Sequence, residues 1–284
     1  MLQGICSSPL NRETELVSHL GKDSNYVTTY DSSLLRPILR SKQRTLIGAS
    51  ESIPFLGLDR WRCFELTWLD SKGKPDIAVL SIRVPCVSVS IVESKSLKLY
   101  LNSFAQTQFR SRQEVLETIA ADLKTLLQAD IIVEFEDLST LNSDSVWLNG
   151  NLLENEAEAA ADKYPDPDIL VLDGQEMTRE EIVFTHLFRS VCPETAQPDL
   201  ASIFIRYRGR AISPDSLLSY LLSFRNHAAF HETVIEQIFI EIKERCSMDE
   251  LSVYGCFLRR GGIDINPFRS THEHQAPLFR VPRQ

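Results

Sequence analysis

Ser96-Leu97-Lys98-Leu99-Tyr100-Leu101-Asn102-Ser103-Phe104 recurs 120 residues later as Ser216-Leu217-Leu218-Ser219-Tyr220-Leu221-Leu222-Ser223-Phe224. In both copies the apolar side chains return every three or four residues, the period of a helix with one buried face. A second helix follows each copy. The first spans Ser111 to Leu127, opened by the capping box Ser111-x-x-Glu114, with Leu116, Ile119, Leu123 and Leu126 on one stripe. The other runs from Phe230 to Glu244 with Ile235, Ile238, Phe239 and Ile242 inward. Alternating strands close the copies, Ile131–Glu136 and Leu251–Leu258. A strand pair precedes each: Trp61–Leu69 with Ile77–Val84 across the turn Ser71–Pro75, and Val183–Ser190 with Ser202–Arg208 across a longer loop. Each half therefore reads strand, strand, helix, helix, strand, with one more short strand, and the chain reads as an internal duplication. Helices clustered between hairpins predict an α+β fold, each half an antiparallel sheet with two helices on one face. The expected organisation is an N-terminal segment 1–45, a first module 46–150, an acidic Pro-containing linker 151–168 and a second module 169–284.

Composition narrows the function classes. At 284 residues and 43% hydrophobic, the chain can bury a sizeable core, divided between two modest domains. A net charge of −9 argues against affinity resting on nucleic-acid phosphates or an anionic membrane, so neither is expected as a partner. Local basic clusters still suit a small anion. No stretch is long and apolar enough to span a bilayer, and Met1–Cys6 has neither the basic start nor the apolar run of a secretory signal. The six cysteines are scattered without a Cys-x-x-Cys pair, which fits free thiols in a reducing cytoplasm better than disulfides or structural zinc.

The halves differ where chemistry would show. In Glu93-Ser94-Lys95-Ser96-Leu97-Lys98, Ser94 stands where an N-cap hydroxyl belongs, and Lys95 and Lys98 overhang the first helical turn. Lysines there oppose the helix dipole, so an anion such as a dinucleotide pyrophosphate would offset them; the plain alternative is a solvated helix end. The matching place in the second copy, Ser213-Pro214-Asp215, reads as a mouth that satisfies itself. The loop Cys192-Pro193-Glu194-Thr195-Ala196-Gln197-Pro198-Asp199 offers a nucleophile, Cys192, and a proton donor or acceptor, Asp199, against the plain reading of a small buried hydrophobe. His227 and His231, four apart, form a weak metal pair lacking a third ligand. Alternatively Phe230 stacks on a flat ring while His231 and Glu232 bond its polar edge. Arg259-Arg260-Gly261-Gly262 is a basic turn able to hold phosphate. Three classes are weighed for this chain: a reductase, a thiol- or metal-dependent hydrolase of a purine- or pterin-like ring, and a non-catalytic base-binding protein.

Taken together, Glu93–Tyr100, the Cys192…Gln197-Pro198-Asp199 loop, Ser223–His227 with Phe230-His231-Glu232, and Arg259–Pro267 resemble the NADPH-dependent 7-cyano-7-deazaguanine reductases, the QueF family, in their long two-module form. The resemblance covers nearly the whole chain, including Tyr30-Asp31-x-Ser33-Leu34-Leu35 and Pro54-Phe55-x-Gly57. It implies two tandem tunnelling-fold modules and reduction of a nitrile to an aminomethyl group on the way to queuosine in tRNA. Cys192 would attack the nitrile carbon to give a thioimide, and Asp199 would protonate the nitrogen. Val92, Glu93, Ser94, Phe230, His231 and Glu232 would form the base pocket. Ser94, Lys95, Lys98, Arg260 and Gly261 would hold NADPH. The resemblance further implies a cytoplasmic homodimer that needs no metal, with the pocket where the modules meet. One departure is Leu200, where an aromatic commonly follows the aspartate.

Overall fold

The computed structural model describes residues 26–49, 52–136, 145–157, 164–174 and 177–284. Its elements are β1 (Pro37–Leu39), α1 (Arg40–Leu46), β2 (Leu56–Leu69), β3 (Pro75–Pro85), β4 (Ser90–Val92), α2 (Ser94–Asn102), α3 (Arg112–Leu127) and β5 (Ile132–Phe135). Then follow β6 (Asn151–Leu152), α4 (Leu153–Glu156), β7 (Thr178–Val191), β8 (Pro198–Arg210), α5 (Pro214–Ser223), α6 (His231–Cys246), β9 (Glu250–Phe257) and β10 (Ile263–Ser270). The chain is α+β. Strand lengths follow local chemistry: the β2–β3 turn closes because Asp70 Oδ1 accepts the Lys72 and Lys74 amides at 2.8 and 2.9 Å, with Gly73 at φ 80°.

The repeat is visible in three dimensions. The hairpins β2–β3 and β7–β8 each carry a register shift at the same place, between Cys63 and Leu66 and between Thr185 and Phe188. Each also holds a parallel bridge to the segment before its second helix, Leu69 to Gln108 and Val191 to Ala228. The two hairpins do not stand in separate sheets, however. The described strands beyond the small β1·β4 pair join one eight-stranded sheet of order β5-β3-β2-β10-β9-β8-β7-β6, antiparallel except at β6·β7. The seam is β2·β10, in register from Leu56↔Ser270 to Cys63↔Ile263. An open strand edge in either half is a liability, and pairing edge to edge satisfies both.

Strand alternation sends one set of side chains to each face. On the helical face α2 and α3 cover Trp61, Leu80 and Ile82, while α5 and α6 cover Ile203, Ile205, Leu251 and Val253. The opposite face packs Phe204, Tyr254 and Phe268 beneath Trp147, Phe279 and Val281. Between the two helical-face cores, directly over the seam, lies a buried ionic cluster. Arg269 bonds Asp59 and Glu236, each at 2.8 Å, Arg44 meets Glu236 at 2.8 Å, and Arg40 meets Asp59.

Two helix mouths are the reverse of what the sequence predicts. The N-cap of α2 is Glu93, whose carboxylate accepts the Lys95 and Ser96 amides at 2.8 and 2.7 Å; Ser94 is already inside the helix. The expected self-sufficient mouth, Ser213 before α5, makes no side-chain cap bond. Instead Ser216 Oγ turns back to the Ser213 carbonyl at 2.9 Å. A two-oxygen carboxylate fills the first mouth, so the lysines there need no ligand to complete the helix.

Candidate active site

A cavity of about 490 Å³ opens at the seam, and all twelve residues that the family resemblance assigns to the site line it, whereas His227, Arg259 and Gly262 do not. Val92, Glu93 and Ser94 lie at the β4–α2 junction, where the Glu93 amide donates to the Arg36 carbonyl at 2.9 Å and β1 pairs with β4. Lys95 and Lys98 project from α2. Burial and the neighbouring Arg260 charge lower the Lys98 pKa. The remaining walls come from the other half.

Cys192 follows β7 in a tight loop. Its amide donates to the Gln197 carbonyl at 2.9 Å and its carbonyl accepts the Ala196 amide at 3.0 Å, with Ala196 in the left-handed region at φ 56°. The Val191 amide and carbonyl bond the His227 carbonyl and the Ala229 amide, at 2.9 and 3.2 Å. That pairing carries the start of α6, with Phe230, His231 and Glu232, alongside the cysteine. Cys192 is 8% exposed, so the plain reading of a buried thiol is right about burial, yet the residue lines the cavity. The described Cys63, Cys86, Cys246 and Cys256 are also free, and burial pushes their thiols up.

Asp199 opens β8 with its Oδ1 3.6 Å from His231 Nε2 and 3.3 Å from Arg260 Nη2. Burial works to raise this carboxyl, but His231, Arg260 and Lys98 outweigh it and hold it below the usual range. Glu232 is the opposite case. It is 3% exposed, burial and the Asp59 charge push it up to about 7 against His231 and Arg40, and its Oε1 has no hydrogen-bond partner. An orphan carboxylate oxygen on a cavity wall suits a ligand that brings N–H donors.

Arg260 precedes Gly261 and Gly262, both left-handed at φ 60° and 71°. A Cβ on Gly261 would stand 2.9 Å from Lys98 Cε, so glycine lets that lysine lie against the turn. Two cations beside bare backbone make an anion cradle that fits a dinucleotide's phosphates. A cavity of this size takes a drug-sized group.

Residues 26–135 match the family model described as "Nitrile reductase, 7-cyano-7-deazaguanine-reductase N-term", and residues 198–276 match that of "QueF-like protein". A NADPH-dependent 7-cyano-7-deazaguanine reductase of Desulfotalea psychrophila is 43% identical over 271 residues, covering 93% of this chain and 96% of the relative. The enzyme of that name from Dechloromonas aromatica is 44% identical over 263 residues, 92% of either chain. This chain belongs to the 7-cyano-7-deazaguanine reductase family. Within that family's two matched stretches fall Val92 to Lys98, then Asp199, Phe230 to Glu232, Arg260 and Gly261; Cys192 lies between them.

Sequence reasoning missed the floor of this reductase-family cavity, Trp61, Ile91 and Ile265. Trp61 and Ile265 are register partners across β2·β10, a pairing of residues some two hundred positions apart that no local pattern announces. Gln197 and Thr195 also line the cavity and bond Arg260. The histidine pair does not form on one helix: α6 begins at His231, and His227 lies before it, its ring edge against Phe224. Leu200 is 36% exposed and does not line the cavity, so the departure at that position falls outside its wall. No described helix is long and apolar enough to cross a membrane.

Proposed function

We propose that this chain reduces the nitrile of 7-cyano-7-deazaguanine to the aminomethyl group with NADPH, through a covalent adduct on Cys192, as a step toward queuosine. The observation carrying this reading is that Cys192 and Asp199 share one cavity with Glu232, whose inner oxygen lacks a partner. Glu232 and Glu93 would accept the base's N–H edge, since Glu93 retains lone pairs beyond those used in capping. Phe230 would stack on the ring, with Val92, Ser94 and His231 completing the pocket. A site built to take those donors rejects rings lacking them by orders of magnitude.

In the addition step the Cys192 S–H bond breaks as an S–C bond forms to the nitrile carbon. The proton passes to the ionised Asp199 carboxylate and from it to the nitrogen, which gives up one π bond. His231, Arg260 and Lys98 keep Asp199 in the form that can take this proton. NADPH, when bound, supplies hydride, and two successive molecules complete the four-electron change. Lys95, Lys98, Arg260 and the backbone at Gly261 would hold its phosphates. Burial of Cys192 and Glu232 keeps bulk water from the adduct.

The same reading takes the halves as tandem tunnelling-fold modules, 46–150 and 169–284, with 1–45 and 151–168 as leading segment and linker. Two apolar cores on one sheet face, one for each pair of long helices, support it. A cytoplasmic homodimer with no direct nucleic-acid contact is proposed with it. The decisive test is intact mass after incubation with 7-cyano-7-deazaguanine, before and after NADPH. The adduct should form without cofactor, discharge with it, and be absent in Cys192→Ala. Product formation that ignores NADPH and stops with a chelator would instead mean a hydrolase.

A further inference from the structure

Gln197 has no role in the chemistry above, yet it joins two parts of the site. Its main-chain oxygen accepts the Cys192 amide at 2.9 Å, and its side-chain Oε1 accepts Nη1 of Arg260 at 2.8 Å. The same guanidinium reaches Thr195 Oγ1 at 3.4 Å and, through Nη2, Asp199 Oδ1 at 3.3 Å. Arg260 thus rests on three residues of the cysteine loop, and the bond to Gln197 is the shortest. It needs holding. The arginine stands on a turn whose next two residues are both left-handed glycines, its long side chain has many rotamers to lose, and phosphates at the rim would compete for it.

We propose that Gln197 is a positioning residue for nitrile addition: it fixes the Arg260 guanidinium beside Asp199, so the carboxylate keeps a set counter-charge while it takes the Cys192 proton. This rests on Cys192 being the nucleophile. In that step S–H breaks, S–C forms, one C–N π bond is lost, the proton ends on nitrogen, and nothing is oxidised or reduced. The charged and titratable groups around Asp199 are His231 and Glu232 from α6, Lys98, Lys95 and Glu93 from the α2 mouth, Arg260 from the glycine turn, and Cys192 and Glu194 from its own loop. With Gln197 removed, the guanidinium keeps only the longer contacts to Thr195 and Asp199, at 3.4 and 3.3 Å, and the counter-charge that favours the ionised form of Asp199 is held less firmly.

The sign follows directly. Proton acceptance needs the carboxylate ionised, so the addition rate falls as pH drops through the Asp199 pKa, and a weaker counter-charge moves that fall to higher pH. The test measures the rate of adduct formation at 7-cyano-7-deazaguanine concentrations that saturate at every pH, so that loss of affinity through Glu232 does not enter, without NADPH, from neutral to acidic pH by quench and intact mass. Gln197→Ala and the near-isosteric Gln197→Met should each move the acidic limb up by about half a pH unit. Arg260→Met should move it at least as far, and Gln197→Ala combined with Arg260→Met should move it no further than Arg260→Met alone. Gln197 is exposed, so its loss leaves the core intact. An unmoved limb in both Gln197 variants, or shifts that add in the double variant, overturns the proposal. A wild-type protein that forms no adduct refutes the nucleophile assignment beneath it, a separate result.

Discussion

Glu232 concentrates the conflict between stability and function in one side chain. A carboxyl pushed up to about 7 is half neutral near physiological pH, whereas reading N–H donors requires it ionised. Binding of the base should therefore release a proton below neutral pH. With Cys192→Ala to prevent covalent capture, the Kd of 7-cyano-7-deazaguanine should weaken about tenfold per pH unit below roughly 7. Calorimetry in two buffers of different ionisation enthalpy would register the proton. Glu232→Gln should cost on the order of 100-fold in affinity and flatten the dependence. The same variant should melt higher above neutral pH. A raised folded pKa means stability is lost as pH climbs from the ordinary carboxylate range toward that value, and the amide escapes the loss. A wild-type Kd that stays level across this range would remove Glu232 from base recognition. The sequence offers Glu232 as an acid for a ring's polar edge, but not its raised pKa, which comes from burial and from the charge of Asp59, more than a hundred and fifty positions earlier in the chain.

Secondary elements were legible where their signals are local. Ser111 accepts the Glu114 amide at 3.2 Å, one half of the capping box, while Glu114 Oε2 accepts the Arg110 amide at 2.6 Å in place of that of Ser111, and α3 runs from Arg112 to Leu127. The mouth of α2 was misread for a physical reason: Ser is a favoured cap, but Glu93 supplies two acceptors one residue earlier and takes both amides. This changes how the lysines there are understood, since they flank a capped helix and face the cavity with Arg260. The glycine turn then decides their placement. Gly261→Ala forces a Cβ at φ 60° to within 2.9 Å of Lys98, so either the turn or the lysine must shift. The KM for NADPH should rise about tenfold, with a much smaller change in the cofactor-independent adduct rate. Equal losses in the two measurements would place the turn at the base rather than at the phosphates.

At the scale of the molecule, the duplication could be read from nine residues, but the joining of its halves could not. The β2·β10 register pairs residues about two hundred positions apart, and the arginines that seal it, Arg40 and Arg44, come from a stretch with no pattern of its own. The seam also carries the site, because α6 holds Glu232 and, one turn on, Glu236, which is bonded to Arg269. Burial works to raise Asp59 and Glu236, and Arg269 with its neighbouring arginines overrides it to hold both below their ordinary values. Their contribution is therefore present above the ordinary carboxylate range and lost as pH falls through the folded values. Arg269→Met reverses this. Two fully buried carboxylates would share two arginines instead of three, burial would dominate, and protonation would relieve the strain. The variant should lose about 3–5 kcal/mol at pH 7 by urea denaturation, and distinctly less at pH 5, where the acids can neutralise. Activity should fall with it, because α6 would no longer be pinned over the seam. A loss below about 1 kcal/mol, the same at both pH values, would mean that backbone pairing alone joins the halves and that the cluster is incidental to the site.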